Sequence, residues 1–149
     1  MSEHKVKISW ARGDKAFTYK TYGRDHLWTF ENKAVVQASA APAYLGNPDC
    51  VDPEAAFVAA LSSCHMLTFL AVCARKNITV ESYHDDAVGF LEKNASGKLA
   101  INRVELRPHI QFGGETTPEP AVLADLHDQA HHGCFIANSV LTQITVVPA

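Results

Sequence analysis

The sequence lacks several patterns that mark a known class of metal or redox site. Its cysteines form no CxxC pair and no zinc-ribbon spacing, and no HExxH motif occurs. These absences argue against a zinc ribbon and against a zinc protease. The four cysteines are instead widely spaced, at Cys50, Cys64, Cys73 and Cys134. In a reducing compartment they should be thiols, so any disulfide among them would be transient and catalytic.

The chain also lacks an excess of either charge. It carries 13 basic and 16 acidic residues, for a net charge of -3, and its pI is near 6.2. Such a balance gives no electrostatic case for binding nucleic acid or an anionic membrane. We expect no signal peptide, because the N-terminus leads directly into a strand pattern. No run of about 20 purely apolar residues suggests a membrane span. The expected location is the cytoplasm.

With 149 residues, 47% of them hydrophobic, the chain should form a single domain over residues 1–149, with a core that needs no disulfides. Alternating apolar residues predict strands at 6–10, 17–21, 26–30 and 34–36, with the first two joined as a hairpin through Gly13 and Asp14. Strand patterns return at 78–91, 99–112 and 140–147, and a second helix is predicted over 119–132. Pro108 suggests an edge position or a bulge. This order predicts an α+β domain.

The longest predicted helix begins at Pro53 and runs to Lys76. Asp52 is suited to cap its first amides, Pro53 to the first helical position, and Glu54 to the positive end of the helix dipole. Asn77 is suited to the position just past its end. Nearly every residue between these ends is apolar or small. A helix without a polar face is normally buried on all sides.

Cys64 lies at the middle of this helix, within the polar stretch 62–65. Free cysteines are commonly core residues, and Cys73, which follows Ala71 and Val72, fits that interpretation. As a reactive thiolate Cys64 would need a cation from elsewhere, because the helix dipole acts only near the helix ends. Arg24, just before a strand, is the best candidate for that cation, although a surface role is equally compatible with its position.

Cys134 follows Gly133 at the end of the second helix, where a sulfur on movable backbone is suited to forming and breaking a disulfide. A core position is the alternative for this thiol. Metal binding is a competing use of the same region. His127 and His131 are four residues apart on the helix, a workable ligand pair, and Cys134 follows closely.

Two motifs on the long helix carry a family resemblance: Asp-Pro-Glu at 52–54 and Ser-Ser-Cys-His-Met at 62–66. Together with Arg24 and Cys134 they make the sequence similar, over almost its whole length, to the OsmC/Ohr family of peroxide-reducing proteins. The best-studied branches tend to have Cys-Phe at the first thiol and Cys-Pro at the second. This chain has Cys-His and Cys-Phe there, and so resembles a lesser-known OsmC-like branch.

The resemblance implies an OsmC-like fold in an intertwined homodimer, with long central helices wrapped by two sheets. It also implies a thiol peroxidase for organic hydroperoxides, with hydrogen peroxide as a second candidate substrate. Cys64 would attack the peroxide and become a sulfenic acid. Arg24 would lower the pKa of Cys64 and orient the peroxide, Glu54 would hold Arg24, and Cys134 would close a disulfide with Cys64. An external dithiol, such as a lipoylated protein, would reduce that disulfide.

The resemblance implies no metal, haem or flavin. The alternative function is a non-catalytic, ligand- or metal-binding stress protein in which Cys64 is a core thiol. Glu54 and Cys64 lie ten residues apart on one helix, about 15 Å along its axis, so they cannot touch within a straight helix. The side chain of Arg24 bridges them, the helix bends, or Glu54 comes from the other subunit.

Overall fold

Three short strands form the sheet of the first unit of the chain, Met1–Ala56. In the computed structural model, which describes residues 1–114 and 117–147, these strands are β1 (Val6–Ser9), β2 (His26–Phe30) and β3 (Val35–Ala38). Each neighbouring pair is antiparallel, and Trp28 of β2 lies opposite both Ile8 and Val36. The strands predicted around residues 6–10, 26–30 and 34–36 are confirmed.

The hairpin predicted through Gly13 and Asp14 is wrong, because residues 17–21 form no strand. Phe17 and Tyr19 alternate as in a strand, yet Phe17 packs with Trp10 and Tyr22 and Tyr19 lies against the guanidinium of Arg24. The ring of Phe17 lies 6.1 Å from that of Trp10 and 5.4 Å from that of Tyr22. The amides of Thr21 and Tyr22 both donate to the carbonyl of Thr18, which closes a turn there. Contacts between aromatic side chains thus outweigh the local strand preference.

The loop between residues 38 and 52 is folded back on β3. The Ser39 amide donates to the Val51 carbonyl at 3.0 Å, and the Val51 amide donates to the Gln37 carbonyl at 3.1 Å. A short 3₁₀ helix, Pro42–Tyr44, lies within the loop. Gly46 packs so closely that an added Cβ would lie 1.5 Å from the Ala40 carbonyl oxygen. The loop therefore requires glycine at this position.

The long helix, α1, spans Pro53–Arg75, so it begins at the predicted residue and ends one residue earlier than predicted. A carboxylate oxygen of Asp52 accepts the Ala55 amide at 2.9 Å, as an N-cap residue does. At the other end Asn77 has a φ of 58°. The Asn77 amide donates to the Ala74 carbonyl and the Ile78 amide to the Cys73 carbonyl. This is the Schellman arrangement that terminates helices.

The second unit, Phe57–Ala149, contains most of α1 and two further sheets. One pairs β4 (Val80–Asp85) with β7 (Pro108–Phe112). The other has the order β5–β6–β8, formed by Val88–Lys93, Leu99–Leu106 and Gln143–Val146. β6 and β8 are parallel, and the other pairs are antiparallel. Each of the two long strand patterns is thus divided in two, and Pro108 begins β7, consistent with its missing amide proton.

Helix α2 spans Pro120–Gly133, one residue later than predicted at each end. It packs on α1 through a buried cluster of Phe69, Val72, Cys73, Leu126 and Ala130. The other face of the core joins Leu61 of α1 to Val104 and Leu106 of β6. The observed α+β architecture agrees with the predicted class.

Within the single chain α1 is not buried on all sides. Only 28% of its most apolar 18-residue window is buried, and the buried residues form one stripe: Leu61, His65, Phe69, Val72 and Cys73. Leu67, on another side of the helix, is 61% exposed. By length and composition α1 is long and apolar enough to cross a membrane, a property that it shares with core helices of soluble proteins.

Candidate active site

The two thiols predicted to react with one another lie on different helices of the second unit. Cys64 is at the middle of α1 and is half-buried, whereas Cys134 caps the C-terminus of α2 and is only 1% exposed. Their side chains lie within hydrogen-bonding reach of one another, and both are free thiols. The fold thus brings together two cysteines that are 70 positions apart in the sequence.

The environment of Cys134 keeps its thiol protonated. Burial raises the pKa of Cys134, and the hydrogen bond with Cys64 raises it further. The amide of Ala137 opposes this effect, because it donates to the Cys134 sulfur at 3.3 Å. A buried thiol with a raised pKa is a poor first nucleophile. Of the two thiols, Cys64 is therefore the better placed to attack a substrate and Cys134 the better placed to follow.

Arg24 is held within the first unit by its own neighbours. Its guanidinium donates to the carbonyl of Tyr22 at 2.9 Å and to that of Tyr19 at 2.6 Å. The guanidinium carbon also lies 3.9 Å from the centre of the Tyr22 ring, a cation–π contact. These contacts use two of the five N–H groups of the guanidinium. They hold its charge in one place while other N–H groups remain for a further partner.

Glu54 lies in the first turn of α1, where its charge complements the helix dipole. Within the described part of the first unit it forms no ion pair with Arg24. The predicted contact between the two residues is therefore not formed in the single chain. Its assignment to the site stays a prediction.

The residues 62–65 contribute more to the site than the thiol alone. His65 and His127 of α2 are 2% and 8% exposed, and their Nε2 and Nδ1 atoms lie 3.0 Å apart. One ring donates its N–H to the lone pair of the other. Burial, and after it the neighbouring His127 and His131, lowers the pKa of His65 to about 4. Burial likewise lowers the pKa of His127. Both rings are therefore neutral near neutral pH.

Sequence reasoning missed this histidine pair, although a signal for each member is present. His65 continues the stripe Leu61–His65–Phe69 at intervals of four, and His127 stands beside Leu126 on the apolar side of α2. Neither of these two patterns predicts that the rings of His65 and His127 contact each other. Among the described residues no group of three or more His, Cys, Asp or Glu side chains is arranged to hold a metal ion. The set His127, His131 and Cys134 therefore does not form such a site there.

Close to Cys64, the carboxylate of Asp85 on β4 links α1 to the neighbouring strands through hydrogen bonds. Ser62 donates its hydroxyl to one oxygen of Asp85, and the Arg107 amide donates to the other at 2.6 Å. The hydroxyl of Thr68, one turn after Cys64, donates to the Cys64 carbonyl at 2.9 Å. Ser62 and Thr68, two polar residues near Cys64, thus have defined partners.

A cavity of about 640 Å³ lies between α2 and the strands β7 and β8. Its walls are mostly apolar, and His127, Asp128 and His131 supply polar groups on the α2 side. Neither Cys64 nor Cys134 is among its described lining residues. His127 therefore links the cavity to the histidine pair, because it both lines the cavity and bonds to His65.

Acid is expected to destabilise the fold through His65. In the unfolded chain His65 titrates at its ordinary pKa of 6.5, whereas in the folded chain its pKa is about 4. Between these values the unfolded state binds the extra proton, so stability is complete above pH 6.5 and is lost as the pH falls towards 4. The loss should be roughly 3 kcal/mol. Urea unfolding followed by circular dichroism from pH 7 to pH 4 measures it.

The matched controls for this pH dependence are two glutamine substitutions. His65→Gln should remove the part of the slope that comes from His65 and leave the part that comes from His127, whose pKa burial also lowers. His132→Gln, at an exposed position of α2, should leave the slope unchanged. An unchanged slope in His65→Gln would show that other groups cause the acid sensitivity. Asp25 does not confuse the result, because hydrogen bonds from Asn47 and Ser39 lower its pKa below 3.8, outside this pH range.

The fold and the facing thiols define a class of protein, an α+β protein with a two-cysteine site between two helices. A sequence model of the family described as OsmC-like protein matches residues 46–148. An OsmC-like protein of unknown function from Vibrio cholerae is 46% identical, with a TM-score of 0.96 and 100% of each chain covered. This chain belongs to the OsmC-like family.

More distant solved structures share the fold. An organic hydroperoxide resistance protein from Elizabethkingia anophelis is 18% identical, with a TM-score of 0.75, over 100% of this chain and 96% of that one. The organic hydroperoxide resistance protein OhrB of Bacillus subtilis is 16% identical, with a TM-score of 0.71, over 99% and 98% of the two chains. No protein of curated function matches the sequence.

Proposed function

We propose that this protein is a cysteine-based hydroperoxide reductase that acts in the cytoplasm as a homodimer. The observation that carries the proposal is the pair of free thiols, Cys64 and Cys134, within hydrogen-bonding reach on two packed helices. Membership of the OsmC-like family supports it, as do the hydroperoxide resistance proteins that share the fold. No metal, haem or flavin takes part in this chemistry.

The reaction begins with the Cys64 thiolate and the terminal oxygen of a hydroperoxide. A sulfur–oxygen bond forms while the oxygen–oxygen bond breaks, and the departing alkoxide takes up a proton to become an alcohol. Cys64 is then a sulfenic acid. Cys134 attacks its sulfur, a disulfide forms, and the hydroxyl group leaves as water with the proton released by Cys134. The buried, protonated Cys134 suits this second step, because it reacts only once its neighbour is oxidised.

Two electrons from an external dithiol restore the thiols. One sulfur of the dithiol attacks the disulfide, and its second sulfur releases the protein through thiol–disulfide exchange. A lipoylated protein is a suitable donor. Because Cys64 lies on an apolar helix and is only half-buried, organic hydroperoxides are the expected substrates, with hydrogen peroxide the poorer one.

Peroxide consumption by the purified protein with a dithiol tests this proposal. One equivalent of organic hydroperoxide per chain, added without reductant, should yield a single disulfide, which peptide mapping would place between Cys64 and Cys134. Added dithiol should then give continuous turnover, faster with the organic peroxide than with hydrogen peroxide. Absence of turnover with every dithiol, together with absence of the disulfide, would refute the proposal.

Arg24 and Glu54 complete the site in this proposal. Arg24 would lower the pKa of Cys64 and orient the peroxide, and Glu54 would hold Arg24. The fixed guanidinium and its remaining N–H groups support that role. Because Glu54 cannot reach Cys64 along one straight helix, we place the complete site at the interface between two subunits.

Mixed dimers test whether the site is shared. Dimers of Cys64→Ser alone should be inactive, and dimers of Arg24→Gln should be slow because the thiolate loses its cation. If Arg24 acts on Cys64 of the other subunit, a heterodimer of the two variants contains one intact site and should recover about half of the wild-type turnover of a dimer. Activity no higher than that of Arg24→Gln dimers would place both residues in one chain. Glu54→Gln, mixed with Cys64→Ser, tests the carboxylate in the same way.

The exposed side of α1 supports the homodimer. The helix is apolar nearly all round, yet the chain itself covers only one stripe of it. Such a surface requires an apolar cover. A second copy of the chain is the commonest cover among soluble proteins, and a two-fold axis would place the same helix of each copy in contact.

The cavity beside α2 favours the alternative, a non-catalytic ligand-binding protein. Its volume of about 640 Å³ lies in the range of sites for small molecules, which are mostly apolar with a few polar groups. In that case Cys64 is a structural thiol. A Cys64 pKa near the free value of about 8.5, with no peroxide turnover, would identify this alternative as the function.

A further inference from the structure

The histidine and the thiol on α1 are consecutive residues. Any rotation or translation of α1 relative to α2 therefore moves Cys64 and His65 together. His65 points into the core, with an exposure of 2%, and contacts His127 of α2 at 3.0 Å. A restraint applied at His65 is thus also a restraint on the position of Cys64.

On α2, the residues that face His65 and Cys64 are His127 and Cys134, and they lie on one side of that helix. His127 and Cys134 are seven residues apart, which is close to two turns and about 10 Å along the axis. Cys134 directly follows the last helical residue, Gly133, and its amide donates to the His131 carbonyl at 3.3 Å. The position of His127 therefore also sets that of Cys134.

The other contacts between the two helices are less specific. The cluster of Phe69, Val72, Cys73, Leu126 and Ala130 is apolar, and apolar contact has no preferred direction. Near the thiols the backbone of α2 lies close to a side chain of α1, because a Cβ added at Gly133 would lie 3.0 Å from the methyl group of Thr68. At such close range a small shift along the helices changes the separation of the sulfur atoms.

We propose that the hydrogen bond between His65 and His127 sets the separation of the Cys64 and Cys134 thiols, so that both histidines are positioning residues for the disulfide. The inference rests on the proposed function in one respect, since it concerns the same disulfide. The pair is suited to this role because both rings are neutral. Burial lowers the pKa of each, His131 of α2 adds to the effect at His65, and Asp85 of β4 opposes it at His127.

The test measures the equilibrium between the reduced protein and its Cys64–Cys134 disulfide in glutathione buffers, without peroxide. All variants carry Cys50→Ser to remove a competing half-buried thiol. The double variant His65→Leu/His127→Leu replaces the pair by apolar residues. Its effective thiol concentration should fall by about tenfold, the factor that one hydrogen bond of ordinary net strength provides.

Two controls separate positioning from stability. His65→Gln/His127→Asn places amide groups near the original Nε2 and Nδ1 positions, keeps a hydrogen bond, and should retain an equilibrium within about threefold of wild type. Val72→Ala opens a cavity in the same helix interface and lowers stability, yet should leave the thiol equilibrium unchanged. If the double leucine variant does not fold, as judged by circular dichroism, His127→Leu alone carries the same expectation.

A folded leucine variant with the wild-type equilibrium would overturn the inference, as would an amide variant that loses as much as the leucine variant. The peroxidase is judged separately. The expected equilibria without peroxide turnover would refute the proposed function and leave the positioning role. Normal turnover with unchanged equilibria would refute only the positioning role. If the wild type forms no disulfide in oxidised glutathione, both proposals fail.

Discussion

Replacing Cys64 by serine is expected to abolish peroxide turnover, with a fall of at least about 10³-fold, the scale seen when a catalytic nucleophile is removed. A serine hydroxyl is not ionised near neutral pH and does not reduce the oxygen–oxygen bond. The fold should survive, because Cys64 is only half-buried and its backbone carbonyl keeps the hydrogen bond from Thr68. A peroxide-consumption assay with a dithiol measures the loss.

Cys134→Ser should behave differently. Its Cys64 still reacts with one equivalent of peroxide, but the sulfenic acid then persists and is trapped by a dimedone-type reagent, because no second thiol is within reach. Cys50→Ser is the matched control, since Cys50 lies in the first unit and takes no part in the proposed reaction. Turnover that survives in Cys64→Ser would assign the chemistry to another residue.

Replacing Leu67 by glutamate is expected to dissociate the proposed homodimer. Leu67 is 61% exposed in the single chain, on the side of α1 that a second copy would cover. Covering a leucine side chain stabilises by about 1.5–3 kcal/mol, and a carboxylate at an apolar contact costs more. A two-fold dimer contains the residue twice, so the dissociation constant should rise by about 10³-fold or more. Light scattering across a dilution series measures this change.

Val122→Glu is the control for this substitution. Val122 is 46% exposed, but it lies on α2 and not on the exposed side of α1. The same carboxylate there should leave the dimer unchanged. A Leu67→Glu protein that remains a dimer at nanomolar concentration would show that the second copy does not cover this side of α1. If activity falls with the dimer, the site needs both subunits.

The ends of the long helix could be predicted because their causes are local. Asp52 caps the first amides and Asn77 adopts the left-handed conformation that closes the last turn, both within a few residues of the helix. The strand predicted at 17–21 failed for the opposite reason. Phe17 packs on Trp10 and Tyr19 lies against Arg24, and such contacts leave no period in the sequence.

Residue chemistry alone determined which side chains are able to react: two thiols near polar or movable positions, an arginine before a strand, and a glutamate at a helix start. The sequence also carried the family resemblance that the family match confirmed. Only the tertiary structure decided which of these side chains meet. It brings Cys134 to Cys64 and His127 to His65, because the packing of α2 on α1 is set by apolar side chains from both helices at once. Contacts between distant segments arise from that joint packing, which no local pattern contains.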